Sequence, residues 1–220
     1  MLVMPLFLLA ATAAAEANVI QDALDKEPPS PPWAWVRAEP EHRRVQDGKL
    51  QIRALRGTLW KADRNDAKNL LVRPWPAEAG VDADIAVTVS FAPERGGEQA
   101  GVMLYVGDDD YIKIVREFLE GKRWIVMARE EKGTATPLDK VEEPANEVTL
   151  CLERRGGAVE GFYTVAGKDE RKRVGRGDLP RAAGDEQPKI CLFAHGGPNE
   201  AAEARWATFS NLKVAAAAKK

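Results

Sequence analysis

A chain of 220 residues is long enough to bury a sizeable core and, at this length, is expected to form one sandwich-type domain. Its 32 Lys and Arg against 34 Asp and Glu leave a formal charge of -2 at pH 7, so charge gives no reason to expect nucleic acid or an anionic membrane as partner. Two cysteines, Cys151 and Cys191, are too few for a disulfide scaffold, and with only His42 and His195 beside them they cannot build a structural zinc site.

In chain order, residues 1–17 (MLVMPLFLLAATAAAEA) place a short apolar block, Leu2 to Ala10, ahead of small residues that offer Ala13-x-Ala15 or Ala15-x-Ala17 for cleavage. That is the pattern of a signal peptide, although the positive charge of its first part is the α-amino group alone. The block is too short to span a bilayer and no second apolar run follows, so no membrane span is expected and the mature chain is expected to be secreted or periplasmic. Export would permit a Cys151–Cys191 bridge; two small buried thiols are the alternative. Residues 18–32 include Lys26-Glu27-Pro28-Pro29-Ser30-Pro31-Pro32, which cannot sustain a helix, and are expected to be a Pro-rich extended linker. The folded part is expected over residues 33–214, with 215–220 (AAAAKK) as a frayed tail.

Within that span short β-type runs alternate with Gly, Pro and Asp clusters, and hardly any stretch of period 3.6 exceeds two turns. Lys49 to Ala54 and Asn69 to Val72 are predicted strands. The clearest strand is Asp84 to Phe91, where Ile85, Val87, Val89 and Phe91 take one face and Ala86, Thr88 and Ser90 the other. A hairpin follows, with strands Gln99 to Val106 and Tyr111 to Phe118 around the turn Gly107-Asp108-Asp109-Asp110. Lys122 to Arg129, Glu147 to Arg154, Ala158 to Val165, Lys189 to His195 and Ala204 to Val214 complete about ten strands at sandwich-like intervals. The class is all-β.

Strand alternation sorts the hairpin side chains onto two faces. Ala100, Val102, Leu104, Val106, Ile112 and Ile114 form an apolar set suited to a core. Gln99, Met103, Tyr105, Tyr111, Lys113 and Glu117 form the opposite set, which Trp124 continues if the register holds into the next strand. A sugar-binding surface needs that mixture: rings to stack on apolar sugar faces, and amide, carboxylate and ammonium groups for the hydroxyls. An ordinary solvated sheet face is the competing reading.

Seven segments in order carry a family resemblance: residues 33–42 (WAWVRAEPEH), 45–52 (VQDGKLQI), 57–60 (GTLW), 69–74 (NLLVRP), 99–105 (QAGVMLY), 109–114 (DDYIKI) and 207–214 (ATFSNLKV). Together they resemble the concanavalin A-like domain at the C-terminus of glycoside hydrolase family 43 β-xylosidases, and the related "regulation of enolase" domain of unknown function. The resemblance implies a concanavalin-like jelly-roll sandwich of two antiparallel sheets, one of them concave, with any carbohydrate contact on the concave side. It implies no catalysis, because the hydrolytic carboxylates of such xylosidases belong to a separate propeller domain.

Other residues have competing roles. Arg37 and Arg116 read as structural ion pairs; Arg116, between Ile114 and Phe118 on the core side, needs a bulge or a buried partner. Arg73, before Pro74 at a strand end, is a candidate rim contact. Trp35 and Trp206 sit in strand-like apolar settings and are expected in the core, whereas Trp33, Trp60 and Trp75 lie beside loop residues and are open to a binding role or to capping the sandwich edge. Asp108-Asp109-Asp110 offers oxygens to calcium but lacks EF-hand spacing, and reads better as turn chemistry. A glycosidase needs two carboxylates about 5–10 Å apart, and Glu117 with Glu153 is the pair that strand parity offers. Neither a nucleophile elbow nor a phosphate loop is present.

The sequence is thus read as an exported, non-catalytic module whose concave sheet contacts a glycan through Gln99, Tyr105, Tyr111, Lys113, Glu117 and Trp124, with Arg73 at the rim. No cofactor, metal ligand or catalytic residue is assigned. A glycosidase or lyase acting in the same groove, and a structural or protein-interaction domain, are the alternatives.

Overall fold

Period-2 alternation of apolar residues gives strands with one buried face, and two such sheets hide those faces by stacking. The computed structural model describes residues 18–27, 31–62, 64–181, 187–198 and 205–217; the segment read as a signal peptide lies outside them. The strands run β1 (Asn18–Asp22), β2 (Ala34–Val36), β3 (Arg43–Gln46), β4 (Lys49–Arg53), β5 (Leu70–Pro74), β6 (Ala83–Ser90), β7 (Gln99–Gly107) and β8 (Asp110–Leu119). They continue with β9 (Lys122–Glu131), β10 (Thr134–Glu142), β11 (Glu147–Arg155), β12 (Ala158–Val165), β13 (Arg171–Asp178), β14 (Lys189–His195) and β15 (Trp206–Ala216). Among the described residues the only helical turns are 3-10, Pro40–His42 and Ala77–Ala79.

One sheet has eight strands in the order β13-β12-β11-β6-β15-β4-β3, with β1 beside β15; the other has seven, β10-β9-β8-β7-β14-β5-β2. All their pairings are antiparallel. Between the sheets lie Ile85, Val87 and Val89 of β6, Leu150 and Leu152 of β11, Val102 and Leu104 of β7, and Ile112 and Ile114 of β8, all excluded from solvent. Each such side chain contributes about 1.5–3 kcal/mol of burial.

Three sequence expectations need correction. Residues 18–22, read as linker, form β1, which pairs along β15 from Asn18 opposite Ala215 to Asp22 opposite Leu212. Trp33 Nε1 donates to Asp22 Oδ2 at 2.9 Å, tying that strand to the next segment. At the other end β15 continues through Ala215 and Ala216, where the tail was expected to begin. The cysteines lie in different sheets, Cys151 in β11 and Cys191 in β14, and both thiols are free, so they do not form the bridge that export would permit.

Candidate functional site

The outer face of the seven-stranded sheet, on the side away from the sandwich core, carries a second buried cluster that includes Met103, Tyr105, Tyr111, Val115, Cys191 and Phe193. Its cover is the segment 54–69 between β4 and β5. Gly57 N–H donates to the Gly197 carbonyl at 2.9 Å, and the Thr58 carbonyl accepts from Asp66 and Ala67 N–H, closing a loop across the sheet. At that crossing Gly57 has φ +137, and a Cβ there would stand 2.9 Å from the Asp66 carbonyl oxygen, so only glycine fits. Further staples hold the loop down: Lys61 N–H donates to Glu130 Oε2 at 3.0 Å, Asn65 Nδ2 to Asp109 Oδ1 at 2.7 Å and Arg37 Nε to the Ala67 carbonyl at 2.6 Å, and the Tyr111 hydroxyl lies 3.1 Å from the Leu59 carbonyl.

The cover is partial. Beside Trp60 it leaves a cavity of about 580 Å³ whose lining includes Trp60, Gln99, Lys113, Glu117 and His195. Register explains the convergence: His195 pairs with Gln99, Gln99 with Glu117 and Glu117 with Trp124, one row of side chains crossing β14, β7, β8 and β9. Lys113 stands two rows further along, opposite Met103.

The polar groups on this floor are desolvated. Lys113 is 2% exposed; its Nζ donates to Gln99 Oε1 at 2.7 Å and lies 5.2 Å from the Trp60 ring centroid. Burial pushes its pKa down to about 8, opposed by the nearby Glu117 and Glu130 carboxylates. Burial likewise raises Glu117, against the pull of Lys113 and a hydrogen bond from the Gln99 side chain. His195 is buried, and burial with the neighbouring Lys113 charge lowers its pKa to about 3, so it is neutral at ordinary pH. Its Nδ1 accepts from Gly197 N–H at 3.3 Å, which leaves the ring proton on Nε2. Nε2 is buried beside the Gly97 carbonyl, a weak attraction, and has no hydrogen-bond partner.

Four of the residues proposed from sequence therefore share one row or its neighbourhood: Gln99, Lys113 and Glu117 line the cavity, and Trp124 is opposite Glu117 with Nε1 donating to the Leu119 carbonyl. Tyr105 and Tyr111 share the face, but both are buried under the loop. Tyr105 Oη donates to Asp108 Oδ1 at 2.7 Å and Tyr111 Oη to Glu130 Oε2 at 2.9 Å, and burial raises the pKa of both. Arg73 does not reach this face. It pairs with Ile190, which points into the sandwich, and stacks 5.2 Å from the Trp33 ring beside β1. His195, Trp60, Lys61 and Arg64 were missed as cavity residues: His195 alternates with core-facing neighbours, and the loop's path over the sheet leaves no local pattern.

The tryptophan expectations divide differently. Trp33 and Trp75 are buried in the core, whereas Trp35 and Trp206 are half-buried beneath the guanidinium groups of Arg43 and Arg44, each 4.2 Å away. Arg37 forks onto Asp108 at 2.8 and 3.0 Å. Buried Arg116 makes no direct ion pair: it donates through Nε to the Phe91 carbonyl at 2.8 Å and through Nη2 to the Glu143 carbonyl at 3.5 Å, and burial lowers its pKa with only a partial offset from the Glu143 charge. Each carboxylate of the Asp108-Asp109-Asp110 turn accepts from the protein itself, from Arg37, Asn65 and the Lys132 N–H respectively. Glu153 lies in the other sheet, opposite Asp84 and hydrogen-bonded to Arg171, so it cannot pair with Glu117. Among the described residues one His and carboxylate group, Glu39, Glu41 and His42, has ligand atoms within 4.8 Å of one another, and it is away from the cavity lining.

The sequence matches the family described as the β-xylosidase C-terminal concanavalin A-like domain over residues 21–187. No curated protein sequence matches significantly. Among solved structures, a glycoside hydrolase family 43 protein from Bacillus licheniformis superposes with a TM-score of 0.77 at 20% identity, over 90% of this chain and 39% of its own. The xylan β-1,4-xylosidase from Bacillus halodurans gives 0.74 at 15% identity, over 89% of this chain and 38% of its own. A protein of unknown function from Saccharomyces cerevisiae gives 0.66 at 15% identity, over 85% of this chain and 97% of its own. This chain thus spans about two fifths of the two bacterial proteins. With two antiparallel sheets in the architecture of these structures and a family match over most of its length, the chain belongs to the β-xylosidase C-terminal concanavalin A-like domain family.

Proposed function

We propose that this chain is an exported, non-catalytic module that binds a saccharide in the cavity between loop 54–69 and the outer face of the seven-stranded sheet. The observation that carries the reading is a cavity that joins a half-buried indole wall, Trp60, to a floor of buried polar groups, Gln99, Lys113, Glu117 and His195. Stacking on Trp60 would hold an apolar sugar face, while an ammonium, a carboxylate and an imidazole N–H would meet hydroxyls. A volume near 580 Å³ falls in the range of small-ligand sites.

A glycan array followed by titration calorimetry tests it. The folded protein is expected to bind a saccharide that Trp60→Ala and Glu117→Gln, both checked for folding, bind at least about tenfold more weakly. A folded protein that binds no glycan overturns the proposal.

The raised pKa of Glu117 favours one other reading, a general acid in a glycoside-cleaving site. That chemistry needs a second free carboxylate about 5–10 Å away. Glu130, the other buried carboxylate on this face, accepts from Tyr111 Oη and Lys61 N–H. Turnover of the bound saccharide by wild type and not by Glu117→Gln would move the assignment to an enzyme. Export is tested by sequencing the N-terminus of the product released from the host, expected at Glu16 or Asn18; a chain retained intact in the cytoplasm overturns it.

A further inference from the structure

The charged groups around the cavity are not balanced. Among the described lining residues three are cations, Lys61, Arg64 and Lys113, and one is a carboxylate, Glu117. The molecule as a whole carries -2, so this excess of positive charge is local. Lys113 and Glu117 lie on the floor and offset each other. The Lys61 and Arg64 side chains are exposed in the covering loop and have no anionic partner among the described residues. The floor supplies a second observation. Its buried imidazole presents Nε2–H with only a weak attraction to the Gly97 backbone and no full hydrogen bond, and such an N–H is stabilised by an oxygen arriving with the ligand.

Resting on the saccharide reading above, we infer that the ligand is an acidic saccharide, a sugar ring bearing a carboxylate or sulfate whose anionic oxygens meet Arg64 and Lys61 while the ring lies on Trp60 and an oxygen accepts from His195 Nε2–H. A guanidinium presents two parallel N–H groups to such an oxoanion, and an ammonium beside it adds a second charge. Both cations stand at the exposed rim, so these contacts are screened by salt, whereas the contact to the buried His195 is not. A neutral sugar would satisfy the floor but leave the two loop cations unused.

Titration calorimetry on the full chain compares three matched disaccharides, one neutral, one with a uronic acid residue and one sulfated. At least one acidic form is expected to bind about tenfold or more tightly than the neutral one, and which of them does so identifies the acid. Arg64→Ala, on an exposed position, is expected to lose most of that preference while the affinity for the neutral sugar stays within twofold. Added salt is expected to weaken the acidic ligand selectively. Equal affinity for acidic and neutral forms overturns the inference and leaves the saccharide reading standing, as does an Arg64→Ala loss that falls equally on both. If the wild type binds none of the three or any other saccharide on an array, both fail.

Discussion

The two ring nitrogens of His195 are in opposite situations, one accepting from Gly197 and the other buried with only a weak attraction to the Gly97 backbone, in an imidazole held neutral by burial. An unfolded histidine takes up its proton near pH 6.5, whereas this one resists until about pH 3. Between those values the unfolded chain binds more protons than the native one, so His195 makes stability fall as pH drops from 6.5 towards 3. Thermal melts across pH 7 to 4 should show a shallower loss of Tm in His195→Gln than in wild type; parallel curves would mean the ring protonates without penalty. Lys113 works in the opposite range. It is a cation below about pH 8 and neutral above, among Gln99, Glu117, Glu130 and His195. Affinity for an acidic saccharide should therefore weaken as pH rises from 7 to 9, beyond any change shown by a neutral ligand, with the free amine no longer attracting the anion.

At the scale of elements, the hairpin was legible because β7 and β8 carry their alternation as far as Tyr105 and Tyr111; the register shifts between Tyr105 and Gly107, which leaves Val106, expected in the core, half-buried. The apolar set Ala100, Val102, Leu104, Ile112 and Ile114 points into the sandwich, and Gln99, Lys113 and Glu117 point outward together, as parity requires. Strands β10 and β13 were not legible. Most side chains of β10 are exposed or half-buried and β13 reads RKRVGRGD, so neither edge strand has a solvent-excluded face to impose period 2. Least visible was loop 54–69, whose route over the outer face depends on contacts with β7 to β9 and with Gly197, distant in sequence. Because Gly57 sits at its crossing, Gly57→Ala should lower stability by about 1–3 kcal/mol through backbone strain and a clash with the Asp66 carbonyl. At about 2–4 °C per kcal/mol for a domain of this size, a differential melt resolves that loss. The same variant should weaken saccharide binding, since Trp60 follows Gly57 by three residues; an unchanged Tm would mean the loop closes by another route.

For the whole molecule, the least legible feature is where the sandwich begins. Prolines 28, 29, 31 and 32 make residues 18–32 look like one linker, yet residues 18–22 belong to the sheet. The edge of β15 explains the difference. Strand β4 covers its first half, from Trp206 to Phe209, and stops there, leaving the stretch from Leu212 to Ala215 to be paired by β1. Val19 and Ile20 pack against the core, and Asp22 caps Leu24 N–H and receives Trp33 Nε1–H. Without that strand the second half of β15 would present unpaired backbone groups, an edge that destabilises the sheet and recruits other chains. A chain beginning at Ala23 should accordingly be less stable than one beginning at Asn18 by on the order of 3 kcal/mol, from lost ladder hydrogen bonds and apolar burial. It should also associate more at high concentration in sedimentation velocity. Equal melting and equal sedimentation for the two would return residues 18–22 to the role of linker, with β15 stable on β6 and β4 alone.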